Sequence, residues 1–241
     1  MATVAIYSLK GGVGKTTLAV NLAWASAIQS SRRTLLWDLD PQAASTYLLG
    51  AGGKSRDQAQ AIFSRDLAPK KLAQPTAIDR LDLIAADSSL RGLDLLFHEI
   101  DKKKRLAKLL GELDKAYDRV ILDCPPGLTE TSEQVMRAAD LIVVPVIPSP
   151  LSTRAFAEIS AHLDRKGGKV PLLPVHSMVD RRRKLHGEAI AANPDWPVIP
   201  MASAIEAMTT RRAPVGTYAA GSAAGKSFAL LWQAIEHRLT R

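Results

Sequence analysis

Apolar residues along this chain follow two rhythms. Short, nearly continuous apolar runs rich in β-branched residues lie at 3–8 (TVAIYS), 34–38 (TLLWD), 81–85 (LDLIA), 119–123 (RVILD), 141–147 (LIVVPVI), 171–178 and 197–200. They predict strands. Longer amphipathic stretches fall between them, near 16–29, 42–49, 89–98, 102–115, 130–139, 151–164, 183–192, 203–210 and 222–239, and these predict helices. Apolar strands that alternate with helices indicate an α/β fold: one domain over 1–241, with a mainly parallel, twisted sheet covered by helices on both faces. The least regular part, 50–80, carries Gly50, Gly52, Gly53, Pro69 and Pro75 and reads as a surface excursion within that domain. In the last helix Phe228, Leu230, Leu231, Ile235 and Leu239 form the stripe expected to pack on the sheet. There is no internal repeat, low-complexity tract or long linker.

Composition narrows the class. Forty-six per cent of the 241 residues are apolar and 23% charged, which is ordinary for a globule with a sizeable core. Thirty-two Lys and Arg against 24 Asp and Glu leave a net charge of +8. That balance suits an anionic partner such as nucleic acid or an acidic membrane surface, and equally a plain basic globule. With one cysteine, Cys124, no disulfide framework or cysteine-cluster metal site forms within the chain, and the thiol is expected to be buried and structural. The N-terminus runs straight into Val4-Ala5-Ile6-Tyr7 and glycines, unlike a signal peptide. No apolar stretch approaches the roughly 20 residues of a membrane span. A cytoplasmic location is expected.

The chemistry begins where the first predicted strand ends. Lys10-Gly11-Gly12-Val13-Gly14-Lys15-Thr16-Thr17 follows a strand and opens a helix, the context a phosphate-binding P-loop needs. Its glycines let backbone N–H groups turn inward as an anion nest, and the helix adds its positive end. Lys15 reaches the β- and γ-phosphates and the Thr16 hydroxyl ligates Mg²⁺. The general pattern wants glycine at position 9, where this chain has Leu9, so the match is to the deviant form with a second lysine, Lys10. Two acidic strand ends complete the set: Asp38-Leu39-Asp40-Pro41-Gln42 and Asp123-Cys124-Pro125-Pro126-Gly127. In an open parallel sheet these loops converge beyond the carboxyl ends of the strands. There Asp123 has the place of a carboxylate that holds Mg²⁺ through water, and Asp38 or Asp40 that of the group positioning the attacking water.

These residues resemble the ParA/MinD family of deviant P-loop ATPases, more closely its ParA branch. The likeness rests on KGGVGKTT at 10–17, DLDPQ at 38–42, DCPPG at 123–127, VPVIPSPLS at 144–152 and MVDRR at 178–182, with a looser tail from Ile199-Pro200 onward. The resemblance implies a homodimer closed over two ATP molecules. Lys10 would reach across to the partner's nucleotide, Asp40 would orient the hydrolytic water, and Asp38 and Asp123 would surround Mg²⁺. The nucleotide site would comprise residues 10–17 together with Pro200 and Met201. The resemblance also implies that the ATP-bound dimer binds non-specific double-stranded DNA over the nucleoid, and that a ParB-like or cargo-adaptor protein stimulates hydrolysis. Such cycles segregate plasmids or chromosomes, or position cytoplasmic cargo.

The departures fall on the DNA side. The chain begins at its first strand, with no preceding helix-turn-helix, so operator-specific binding is not expected of it. The family's Ile-Pro-Arg segment reads Ile199-Pro200-Met201, and the usual basic residue beyond it is Ala204. Arg182 is kept, with Arg183 beside it, and Arg211 and Arg212 add charge downstream; these four are the expected phosphate contacts. The polar position on the adenine side is His176 or Ser177. Lys102-Lys103-Lys104-Arg105 reads as a solvated helix face. With only four each of Phe, Trp and Tyr, none among the basic runs, stacking on single-stranded bases is not the expected mode. His98, His162, His186 and His237 fall on predicted helices without metal-ligand spacing. A MinD-like membrane-associated regulator is the alternative; the last helix lacks the basic, apolar tail that would anchor it.

Overall fold

The computed structural model describes residues 1–50, 59–64, 67–100, 104–167 and 170–240. Eight strands form one sheet: β1 (Ala2–Ile6), β2 (Thr34–Asp38), β3 (Ala73–Pro75), β4 (Leu81–Ile84), β5 (Arg119–Asp123), β6 (Leu141–Val146), β7 (Leu172–Val179) and β8 (Val198–Pro200). Their order is β3-β4-β2-β5-β1-β6-β7-β8, and every pairing is parallel except β3 with β4. The helices are α1 (Lys15–Ile28), α2 (Ala44–Leu48), α3 (Ala61–Ser64), α4 (Leu93–Ile100), α5 (Arg105–Gly111), α6 (Glu130–Ala138), α7 (Pro150–Arg165), α8 (Lys184–Ala192), α9 (Ser203–Arg211) and α10 (Ala223–Leu239).

The two-residue period of a strand divides each central strand between two cores. Ala5, Leu35, Trp37, Val120 and Leu122 face one, completed by residues of α3 to α7. Val4, Ile6, Leu36 and Ile121 face the other, completed by α1, α9 and α10. Both faces are therefore covered, which is why these strands read as continuous apolar runs.

Four expectations change. The segment 50–80 is not all surface. Ile62 and Phe63 are buried, and Phe63 stacks on Trp37 at 5.7 Å and meets Phe97 edge-on at 5.3 Å. The Arg105 guanidinium donates to the carbonyls of Ile62 and Phe63 at 3.1 and 3.2 Å. That buried bond also removes Arg105 from the expected solvated face; Lys102 and Lys103 lie outside the described residues, as do Gly52 and Gly53. The antiparallel strand β3 had no periodicity long enough to announce it, and it is tolerated at the edge with Pro75 as its last residue. Finally, Leu230 is 65% exposed. The stripe of α10 runs instead through Ala224, Phe228, Leu231, Trp232 and Ile235, against α1 and β8.

Register is what builds the site. Ile6 and Asp38 both stand level with Asp123. The P-loop and the two acidic loops therefore leave the sheet side by side, at the ends of β1, β2 and β5.

Candidate nucleotide-binding site

The loop from Lys10 to Gly14 takes a shape that only glycine adopts without strain at two points, Gly12 (φ +70°) and Gly14 (φ +95°). Gly14 is the N-cap of α1 and supplies no capping side chain. The first N–H groups of a 14-residue helix thus remain available to an anion, and the helix dipole favours negative charge there. The loop is pinned from below: Ser177 Oγ donates to the Val13 carbonyl at 2.7 Å. A side chain at position 14 would place its Cβ 3.0 Å from that hydroxyl.

Lys15 is buried, and its ammonium donates to the Lys10 carbonyl at 3.0 Å. Burial lowers its pKa, while Asp123 and Asp40 pull it back up. Asp38 is fully buried. Its Oδ1 accepts the Asp40 N–H at 3.1 Å, and its Oδ2 accepts the Thr46 N–H at 2.9 Å and the Thr46 hydroxyl at 2.8 Å. Asp123 is equally buried, and its Oδ2 accepts the Ser45 hydroxyl at 2.7 Å. Its Oδ1 has no donor, although the Thr16 hydroxyl is near enough to favour the ionised form. Burial first, and the charge of Asp123 second, raise the pKa of Asp38. Burial raises Asp123 too, with Asp40 adding to it and Ser45 and Thr16 opposing.

Two buried carboxylates with one orphaned oxygen and the Thr16 hydroxyl beside it fit a divalent cation. Hard oxygen donors suit Mg²⁺, which keeps most of its shell as water and substrate phosphate rather than protein ligands. Consistent with so few protein ligands, the described residues contain no group of three or more His, Cys, Asp or Glu able to hold a metal by themselves.

A cleft of about 400 Å³ lies over the loop, lined by Gly11, Gly12, Lys15, Thr16, Asp40 and Gln42 among others. A second, smaller pocket of about 110 Å³ shares Gly14, Thr17 and Met178 with it and is otherwise mostly apolar, with Leu18, Ile199, Pro200 and Met201 in its wall. One compartment suits phosphates and the other a flat apolar base. Ser177 lies on the smaller pocket. His176 does not: its Nε2 meets the Asn193 carbonyl at 3.1 Å and its ring lies tilted against Trp196, centroids 5.0 Å apart. Of the two residues left open in the sequence, Ser177 is the one on this pocket wall.

The structure thus gathers Lys15, Thr16, Thr17 and Asp40 around one cleft, sets Asp38 and Asp123 under it, and puts Pro200 and Met201 on the adjoining pocket. Lys10 is half-exposed. Ser45 and Thr46 had no signal in the sequence, because a hydroxyl pair inside a predicted helix looks no different from one that faces water; Met178 was read only as the start of the 178–182 block, not as part of the cleft wall.

The basic residues lie apart from the cleft. Arg182 is not free: its Nε and one terminal nitrogen each donate to Asp180 at 2.9 Å, and Arg183 stands 3.8 Å from the same carboxylate. Arg211 lies over the Tyr218 ring at 4.8 Å and Arg212 over Tyr47 at 4.6 Å. Arg181, Arg182, Pro200, Met201, Ser203 and Glu206 share an open groove of about 430 Å³. The two arginine groups therefore flank opposite ends of α9, about 12 Å apart along its axis at 1.5 Å per residue. Cys124 is buried, as expected. His162 pairs with Glu133, and His186 accepts the Asp180 N–H at 3.0 Å; both are structural contacts. Among the described residues no helix is long and apolar enough to cross a membrane.

Fold and site together define a P-loop nucleotide-binding protein with a lysine on each side of the glycine run. Residues 1–166 match the family described as an AAA domain. The sporulation initiation inhibitor protein Soj of Bacillus subtilis is 35% identical over 147 residues, 59% of this chain and 57% of that one. A virulence plasmid ParA family protein of Chlamydia psittaci is 33% identical over 178 residues, 73% of this chain and 68% of that one. The match thus spans little more than half the length of Soj. Among solved structures, a putative plasmid partition protein of Borrelia burgdorferi bound to AMPPNP superposes with a TM-score of 0.83 at 18% identity, covering 98% of this chain and 99% of that one. The septum site-determining protein MinD of Pyrococcus horikoshii, complexed with Mg-ADP, gives 0.80 at 21% identity over 97% and 95%. The chain belongs to the ParA/MinD family of P-loop ATPases.

Proposed function

We propose that this chain is a ParA-type positioning ATPase that binds ATP with Mg²⁺, dimerises over it, and in that state holds non-specific double-stranded DNA. The observation that carries the nucleotide reading is the pair of buried carboxylates, Asp38 and Asp123, set under Lys15 and an uncapped helix N-terminus. That arrangement is costly alone and is relieved by a cation and a polyphosphate together.

On this reading Lys15 exchanges the Lys10 carbonyl for phosphate oxygens, and the N–H groups from Gly11 to Thr17 cradle them. Thr16, and Asp38 and Asp123 through water, would hold Mg²⁺, which when bound screens the charge of the phosphates. Asp40 lines the cleft beside Lys15 and positions the attacking water. Lys10 reaches the nucleotide of a second copy. Pro200 and Met201 form the apolar wall for the base. Arg182, Arg183, Arg211 and Arg212 supply phosphate contacts to DNA, and a ParB-like or cargo-adaptor protein stimulates hydrolysis. The +8 charge of the chain supports a nucleoid-associated, cytoplasmic setting.

The test uses Asp40→Ala, which should keep ATP binding and lose turnover. With MgATP this variant should run as a dimer on size-exclusion chromatography and shift unrelated duplexes in a gel. A variant that stays monomeric, with the wild type also monomeric, overturns the dimer reading; a wild type that hydrolyses no ATP overturns the enzyme.

A further inference from the structure

The geometry points to Ser45 as a positioning residue that sets the Asp123 carboxylate for magnesium. This rests on the nucleotide reading above and adds to it a residue outside the three loops.

Ser45 is the second residue of α2, fully buried, and its hydroxyl donates to Asp123 Oδ2 at 2.7 Å. Asp123 stands 1% exposed and has no donor on Oδ1. A carboxylate turns about its last bond, so one hydrogen bond to one oxygen fixes the plane of the group. Here it occupies Oδ2 and leaves Oδ1, which has no donor, as the oxygen available to a ligand; the Thr16 hydroxyl lies close to the same carboxylate. In metal sites the group that orients a ligating carboxylate is worth roughly 10- to 100-fold in metal affinity.

The simpler role, tying α2 to the sheet, is already filled by its neighbours. Thr46 gives its N–H and hydroxyl to Asp38 Oδ2 and accepts the Ala86 N–H at 2.9 Å. At the other end of α2 the Tyr47 carbonyl accepts Arg212 Nε at 3.0 Å. Removing the Ser45 hydroxyl leaves all of these in place, so its loss should be felt at Asp123 rather than in the helix.

The experiment measures binding of a fluorescent ADP analogue, first in EDTA and then as Mg²⁺ is added back, with no turnover involved. Ser45→Ala should leave the EDTA affinity unchanged and raise the half-saturating Mg²⁺ by about 10-fold or more. Ser45→Thr, which keeps the hydroxyl, should titrate near the wild type. If Ser45→Ala does not fold, Ser45→Cys keeps the volume with a weaker donor and carries the same expectation. An unchanged Mg²⁺ midpoint, or an equal loss of affinity with and without Mg²⁺, overturns the assignment. A wild type that binds nucleotide with no response to Mg²⁺ instead overturns the magnesium part of the underlying reading, a wild type that binds no nucleotide overturns that reading whole, and both are distinguished by needing no variant.

Discussion

The Arg212 guanidinium lies 4.6 Å over the Tyr47 ring while its Nε donates to the Tyr47 carbonyl at 3.0 Å. Tyr47 is in α2, whose first turn grips Asp38 and Asp123 through Thr46 and Ser45. Arg212 is the C-cap of α9 and holds a left-handed conformation, φ +49°, that costs a non-glycine residue about 1 kcal/mol. One five-residue helix therefore joins the acidic floor of the nucleotide cleft to an arginine of the basic surface. The path between the two is a contiguous run of hydrogen-bonded groups.

The two loop lysines should separate when each is replaced. Lys15 is buried and already bound to the loop it would leave for phosphate. Lys15→Ala should weaken nucleotide binding by about 30-fold or more, which corresponds to removing a charge-assisted hydrogen bond of about 2 kcal/mol from a desolvated site. Lys10 is half-exposed, and Lys10→Ala should bind nucleotide nearly as the wild type does while losing dimerisation and turnover. Equilibrium binding and steady-state hydrolysis on both variants check this. Wild-type hydrolysis by Lys10→Ala would contradict the role given to the second lysine.

Asp123→Asn should make the nucleotide-free chain more heat-stable. The amide oxygen keeps the Ser45 hydroxyl, and the amide nitrogen replaces an oxygen that has no donor. One of two mutually repelling buried charges disappears. A gain of about 1 kcal/mol would raise the melting temperature by roughly 2–4 °C in a chain of this size. The same variant should lose the stabilisation that MgADP gives the wild type. A lower melting temperature would mean that the carboxylate's charge is already compensated in the resting protein.

How much of this could be read beforehand follows from where the information is local. Seven of the strands were visible because buried parallel strands are apolar on both faces, and Asp38 and Asp123 were visible because each ends such a run. Ile62 and Phe63 were not, since four helical residues between glycine- and proline-rich stretches carry no period, and Trp37 and Phe97 that receive them are distant in sequence. Ser45 and Thr46 were missed for a related reason: what they do depends on carboxylates brought to them by strand register. Which of His176 and Ser177 faces the loop depends on the direction of two successive side chains, which alternate across a strand, and that direction shows only once the strand lies beside the loop, where Ser177 meets Val13.

His176 should make stability depend on pH. It is 1% exposed, donates from Nε2 to the Asn193 carbonyl, and has no partner on Nδ1. Burial, the larger cause, lowers its pKa below the ordinary 6.5 despite the opposing hydrogen bond. The folded state therefore prefers the neutral ring. Its contribution is fully present above pH 6.5 and is lost as pH falls below it, because the unfolded chain takes up the proton first. Urea midpoints between pH 8 and pH 5.5 should fall in the wild type and fall less in His176→Gln. Parallel curves for the two proteins would remove His176 from the acid limb.

The last prediction concerns DNA, where the four arginines differ in what holds them. Each phosphate contact adds about 0.9 to the slope of log affinity against log salt, and a dimer counts every residue twice. Arg211→Ala and Arg212→Ala should each flatten the slope by roughly 2 and weaken binding on any sequence. Arg182→Ala should weaken it more, because Asp180, whose pKa is held down to about 2 mainly by the Arg182 hydrogen bond, then keeps only Arg183, 3.8 Å away, to offset its negative charge near the phosphates. Tyr47→Ala is the control: it removes the ring under Arg212 and leaves the charge, so affinity should drop while the slope stays. The measurement is biolayer titration of unrelated duplexes of equal length at several salt concentrations, with and without MgATP. Unchanged binding in an Arg182/Arg211/Arg212 triple alanine variant would remove this surface from the proposal. Equal binding without nucleotide would leave the surface and remove the switch, and with it any work for the α2 link between Tyr47 and Asp38.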